Sequence, residues 1–139
     1  MAVPHHCAEL TTLDRLGGCV ALTKLRLSRC YSLAALPERI GDCVALTALG
    51  LRQSIELTAL SDRLGDCTAL TTLDLPGYCS LIALPGRIGV CAALKTLNMS
   101  GCDGLTALPE RLGDCAALAT LGMRGCSSLP LHLDVAEGD

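Results

Sequence analysis

The side chains here that are capable of chemistry are cysteines, histidines and charges, and the first two are badly placed for catalysis. Ten cysteines and three histidines occur in 139 residues, but His5, His6 and His132 all lie in the flanks. A catalytic centre needs a nucleophile, a base and a charge stabiliser converging in one pocket. The body of this chain has thiols without an imidazole, and it has no glycine-rich phosphate loop. Zinc ligands lie roughly two to five residues apart and aim at a common point; neither C-x-x-C nor H-x-x-x-H occurs. The His5, His6, Cys7 cluster sits at the N-terminus, where chains order least. The sequence predicts no enzyme, no cofactor and no metal site.

Disulfides are the other chemistry that many cysteines suggest. They require an oxidising compartment, and Met1 to Leu16 shows no apolar core of a secretory leader. The spacing of the cysteines also follows an internal repeat, so they are expected to be reduced, buried thiols acting as small apolar fillers. Asn98, Met99 and Ser100 spell a glycosylation sequon. Asn98 is expected in mid-strand, and without an export signal the sequon is discounted. These features together predict a cytoplasmic protein.

Composition narrows the class. Hydrophobic residues make up 50% and charged residues 18%, which excludes a disordered chain. Phe and Trp are absent and the aromatics are Tyr31 and Tyr78, so the core must be aliphatic and thiol-lined. No uncharged apolar run approaches the roughly 18 residues of a membrane span. A net charge of -3 is too small to indicate nucleic acid or a membrane surface.

An internal repeat organises the chain. Segments starting at Leu33, Leu57, Leu81 and Leu105 read LAALPERIGDCVALTALGLRQSIE, LTALSDRLGDCTALTTLDLPGYCS, LIALPGRIGVCAALKTLNMSGCDG and LTALPERLGDCAALATLGMRGCSS. A shorter unit, LTTLDRLGGCVALTKLRLSRCYS, precedes them from Leu10. The boundaries predicted are an N-terminal flank at 1–9, five repeats (10–32, 33–56, 57–80, 81–104, 105–128) and a C-terminal tail or partial cap at 129–139. Each unit carries L-x-x-L-x-L, as in Leu22, Leu25 and Leu27. Cys30, Ser54, Tyr78, Cys102 or Cys126 follows three places after the last of these. That is the N/C position of the motif L-x-x-L-x-L-x-x-N/C.

On these motifs the chain resembles the leucine-rich-repeat family over residues 10–128. LPERIG (Leu36–Gly41) and LPERLG (Leu108–Gly113) are similar to the LPxxIG-type intracellular subclass of plant disease-resistance and Ras-group-related repeat proteins. It departs from that pattern in two ways. Cys43, Cys67, Cys91 and Cys115 stand where the convex site usually has leucine, and the ladder asparagine is replaced throughout. The resemblance implies an α/β solenoid, an arc with a parallel concave sheet and short helical turns on the convex side.

The elements follow from the pattern. Spacing of two puts Leu25 and Leu27 on one face of a strand, with Lys24, Arg26 and Ser28 on the other. Strands are expected near 24–27, 48–51, 72–75, 96–99 and 120–123. Pro37, Pro85 and Pro109 are expected at the first position of a helical turn, with Ser61 in that place in the third unit. Gly41, Gly65, Gly89 and Gly113 are expected to interrupt the turn. Arg15, Arg39, Arg63, Arg87 and Arg111 should interleave with Asp14, Glu38, Asp62 and Glu110 beside them and with Asp42, Asp66 and Asp114 three residues further along as a convex charge ladder, worth at most about 1 kcal/mol per exposed pair.

A solenoid offers an extended concave surface to a partner. The concave residues expected to bind are Lys24, Arg26, Arg29, Arg52, Asp74, Asn98 and Arg124. Five of these are basic against one acid, on an otherwise acidic chain. The function predicted is a protein-protein interaction module that takes a protein or peptide, specifically an acidic segment, on this face. Nucleic acid is disfavoured because no aromatic stacking platform accompanies the charge, and no membrane partner is expected. Two alternatives stay open. One is an end-to-end assembly module, a homodimer joined through uncapped ends; the other is the sensor portion of a larger receptor.

Overall fold

The computed structural model describes residues 20–26, 36, 38–51, 58–75 and 81–129. Five three-residue strands form one parallel sheet in chain order: β1 (Lys24–Arg26), β2 (Ala48–Gly50), β3 (Thr72–Asp74), β4 (Thr96–Asn98) and β5 (Thr120–Gly122). Each residue pairs with the one a single repeat later, Leu25 with Leu49 and Leu73 with Leu97. The sequence period is therefore the strand register. Four short 3-10 turns, Glu38–Asp42, Asp62–Asp66, Gly86–Val90 and Glu110–Asp114, stack on the opposite, convex side.

The core fills the space between sheet and turns, and it consists of columns. Leu25, Leu49, Leu73, Leu97 and Leu121 point inward from the strands; Ile40, Leu64, Ile88 and Leu112 meet them from the turns. Burying one such side chain contributes about 1.5–3 kcal/mol, and a single unit has no partner layer to bury it against. Stacking supplies that layer, which is why the repeat is the unit of stability.

Strands are held at their entry by a threonine column. The Thr23 carbonyl accepts both the Thr47 and Ala48 N–H groups, and the Thr47 hydroxyl donates to it as well, at 3.1 Å. Thr71 repeats this on the Thr47 carbonyl at 3.0 Å. Lys95 and Ala119 keep the backbone bonds of this column without the hydroxyl.

Two expectations about the turns need correction. Pro85 and Pro109 sit one residue ahead of the turn, with ψ of 139° and 141°, and not at its first position. Their carbonyls accept the first 3-10 bonds, from Ile88 N–H and Leu112 N–H. Extended ψ suits a residue that caps a turn from outside. Ser61 serves the same place and its hydroxyl also accepts from the Arg63 N–H at 3.0 Å. Pro37 lies outside the described residues. The glycines do not interrupt the turns either; Gly41, Gly65, Gly89 and Gly113 are each the fourth residue within one. A Cβ on Gly65 would lie 2.8 Å from the Arg87 carbonyl oxygen, and one on Gly89 would strike the same atom of Arg111. Glycine is required there because the next unit packs directly on it.

Candidate functional site

The outward positions of the five strands form two in-register rows on the concave face. One row runs Lys24, Ala48, Thr72, Thr96, Thr120, and the other Arg26, Gly50, Asp74, Asn98, Gly122. Adjacent strands are about 4.8 Å apart, so each row is a ladder of closely spaced groups. Lys24 and Arg26 are exposed on β1. The Arg26 stem runs beside Gly50, with its Cγ 3.9 Å from where a Cβ would sit, so the missing side chain leaves the guanidinium room to move over the sheet.

The middle of the face is braced. The Asn98 amide donates to an Asp74 carboxylate oxygen at 2.9 Å, while its own oxygen accepts the Ser100 N–H at 3.1 Å. Asp74 and Asn98 are both half-buried. A Cβ at Gly122 would come within 2.7 Å of the Asn98 oxygen, so this glycine preserves the brace. The acid counted on the concave face is thus held by a neutral amide, and Asn98 has committed its donor and its acceptor locally. The one-repeat offset between Asp74 and Asn98 was the sequence signal for this pair.

Of the expected site residues, the structure brings Lys24 and Arg26 together on β1 and Asp74 and Asn98 together across β3 and β4. Arg124 is exposed beyond β5, at the opposite end of the sheet from the first pair. Its carbonyl accepts the Gly101 N–H at 2.7 Å. Gly125 after it has a φ of 79°, a left-handed turn that suits glycine. Arg29 and Arg52 lie outside the described residues. Among the described residues, no group of three or more His, Cys, Asp or Glu could hold a metal ion, and no helix is long and apolar enough to cross a membrane.

The convex charges are arranged differently. Arg63 donates to Asp66 in its own turn at 2.7 Å and to Asp42 in the preceding turn at 3.1 Å. Arg87 reaches back to Asp66 at 2.9 Å. Hydrogen bonds from Arg63 and then Arg39 hold the Asp42 carboxyl below its ordinary range, and those from Arg63 and Arg87 do the same for Asp66. The ladder stops at Val90, which stands where its neighbours have aspartate. Among the described residues Arg111 pairs with Asp114 alone, at 2.6 Å.

Cys43, Cys67, Cys91 and Cys115 form no disulfide and are buried behind this ladder. The Cys67, Cys91 and Cys115 thiols donate to the carbonyls of Ile40, Leu64 and Ile88 in the preceding unit at 3.1, 3.7 and 3.4 Å. Burial pushes Cys67 up to about 12 and Cys91 to about 11, which removes them from nucleophilic chemistry. In the second cysteine column, the Cys126 thiol donates to the Met99 carbonyl at 3.1 Å. Cys7, Cys19, Cys30 and Cys79 lie outside the described residues.

Parallel strands in one-repeat register, backed by short turns, recur in solved structures. A leucine-rich-repeat protein of Leptospira interrogans superposes with a TM-score of 0.50 and 23% identity, covering 88% of this chain and 37% of that one. The leucine-rich repeat domain of the type III effector XopL gives 0.55 and 19%, covering 94% and 68%. The fold is the leucine-rich-repeat fold. No protein-family model and no curated protein matches the sequence. This leucine-rich-repeat arc spans little more than a third of the Leptospira protein's length.

Proposed function

We propose that this leucine-rich-repeat arc is a non-catalytic protein-binding module whose concave face, at its N-terminal half, takes an acidic segment of a protein partner. One contrast carries the reading. Arg39, Arg63, Arg87 and Arg111 on the turn side all engage aspartates, whereas Lys24 and Arg26 project from β1 with no ion pair among the described residues. Charges left unpaired on one face attract a complementary partner and set its rate of encounter. Arg29 and Arg52 belong to the same basic end by sequence, and Arg124 extends the charge to the far rim. Asp74 and Asn98 contribute a polar floor.

The repeat boundaries at 10–32, 33–56, 57–80, 81–104 and 105–128, with flanks 1–9 and 129–139, belong to this proposal. So do the LPxxIG-type subclass and a cytoplasmic setting, which suits buried free thiols. The test is fluorescence anisotropy with a labelled octaglutamate peptide at low salt. The double variant R26E/R52E should weaken binding at least about tenfold and flatten its salt dependence. R87E changes charge on the convex ladder and should leave binding near that of the parent. Equal loss in both variants, or no binding by the parent, would overturn the concave assignment.

A further inference from the structure

Among the described turns the convex charge ladder is broken at one, that of the fourth repeat, and it is broken twice there. Glu38–Asp42, Asp62–Asp66 and Glu110–Asp114 each open on an acid, close on an aspartate and carry one arginine. Gly86–Val90 has glycine and valine at those two positions and keeps only Arg87. This turn is therefore positive by one where each of the other three is negative by one. Both substituted positions are open. Val90 is 48% exposed, and among the described residues nothing lies within 4 Å of where a Gly86 Cβ would be.

One repeat earlier, the aspartate at this position gathers two arginines. Asp66 accepts from Arg63 Nε of its own turn at 2.7 Å and from Arg87 Nη1 of the next turn at 2.9 Å. Arg87 reaches it because its backbone lies over Gly65, the residue before Asp66, with its carbonyl oxygen 2.8 Å from where a Gly65 Cβ would stand. Arg111 lies over Gly89, the residue before Val90, through the same atoms. Arg87 and Arg111 therefore flank position 90 as Arg63 and Arg87 flank Asp66, with no carboxylate between them. Each is anchored on its other side, Arg87 by Asp66 through Nη1 and Arg111 by Asp114 through Nε at 2.6 Å. Glu110 pairs with neither among the described residues. The remaining guanidinium N–H groups have no acid to meet.

We infer that this convex notch binds the phosphate of a phosphorylated serine or threonine on a protein partner, in the place that aspartate holds on the neighbouring rung. The chain itself tethers Asp66 to its arginines, whereas an incoming group must also offset the freedom it loses on binding. A lone carboxylate on exposed arginines contributes too little for that. A phosphate monoester brings nearly two charges and three acceptor oxygens, which suit paired N–H bonds from two guanidiniums. The acids missing from the fourth turn are those that would repel it. The negative turns on either side oppose an anionic membrane surface but leave room for a single phosphate on a narrow segment. Octaglutamate, with one charge per carboxylate, is a poor occupant, so this notch and the concave face are measured separately.

The experiment titrates the whole chain, labelled with nitrogen-15 at arginine, with an alanine pentapeptide carrying one central phosphoserine, and in parallel with its glutamate counterpart. The Arg87 and Arg111 Nε–H signals should shift and saturate, with the phosphopeptide at least about fivefold tighter than the glutamate peptide. V90D supplies the missing carboxylate from within, at an exposed position, and should weaken the phosphopeptide at least about tenfold. V90N, neutral and of similar size, should stay within about threefold of the parent, and R26E on the concave face should not alter this binding. V90D binding as the parent does, V90N losing as much as V90D, or a glutamate peptide that binds equally well would each overturn the inference. So would shifts confined to other arginines, or V90D-sensitive capture by phosphoinositide vesicles that is tighter than capture of the peptide.

Discussion

The third and fifth repeats are nearly the same sequence, SDRLGDCTALTTLDL against PERLGDCAALATLGM, and differ in what stands beside them. In the third, Leu64, Cys67, Leu70 and Leu73 are fully buried, and Arg63 and Asp66 each bridge two units. In the fifth, Leu118 is half-buried and Arg111 is 73% exposed. Closely matched local signals thus yield a sealed layer where another described unit follows and a more exposed one in the last described unit. Burial in a solenoid is a property of neighbours, so position in the array should outweigh residue identity in every substitution.

The largest test of this difference is paired truncation. Leu70→Ala removes a fully buried side chain and should cost about 2–5 kcal/mol in chemical denaturation. Leu118→Ala, at the same place in its repeat, should cost well under half of that because its surroundings are open already. Equal costs would mean that the last layer is as tightly enclosed as the middle one.

Glycines provide the second comparison. Gly89→Ala forces a Cβ onto the Arg111 backbone and should destabilise by about 1–3 kcal/mol, the usual cost of overpacking. Gly113→Ala meets nothing and should be neutral or slightly stabilising, which a pair of thermal melts would resolve. Loss of stability in both would show that glycine is needed in the turn itself and not for stacking.

Thiols should divide the same way. Cys67→Ser keeps a donor within reach of the Ile40 carbonyl but exchanges a small apolar group for a polar one in a sealed core, and should cost about 1–3 kcal/mol. Cys126→Ser, at a thiol that is itself only half-buried, should cost less. Native protein should titrate far fewer thiols than denatured protein; fast reaction of most cysteines in the native state would contradict their burial.

The charge ladder gives the smallest effects. Asp42 and Asp66 have folded-state values lowered from the ordinary 3.8, so the stability they contribute is present above that value and is lost as pH falls through and below it. Asp66→Asn should reduce this acid sensitivity more than Asp114→Asn, since Asp66 serves two arginines. Val90→Asp should restore the missing rung between Arg87 and Arg111 and stabilise by at most about 1 kcal/mol at low salt. A larger gain, or one that persists in high salt, would require a cause other than pairing.

The sequence alone carried the period, and the period carried the fold. Leucines two apart in every unit demand a strand with one buried face. A one-repeat offset becomes register because each strand has only its neighbours to pair with. The convex ladder was legible for the same reason: Arg63 lies shortly before Asp66 and nearly one repeat after Asp42, separations that a stacked turn brings together. The basic character of the concave face could be counted, but its distribution could not. Tertiary structure decided that Asp74 is tied to Asn98 while Lys24 and Arg26 make no ion pair among the described residues, and that Arg124 stands apart from them. It also decided that Gly65 and Gly89 make room for the next unit's backbone, and that proline precedes the turn. Those facts depend on which side chain or backbone atom arrives from the adjacent repeat, and no single unit's sequence records its neighbour.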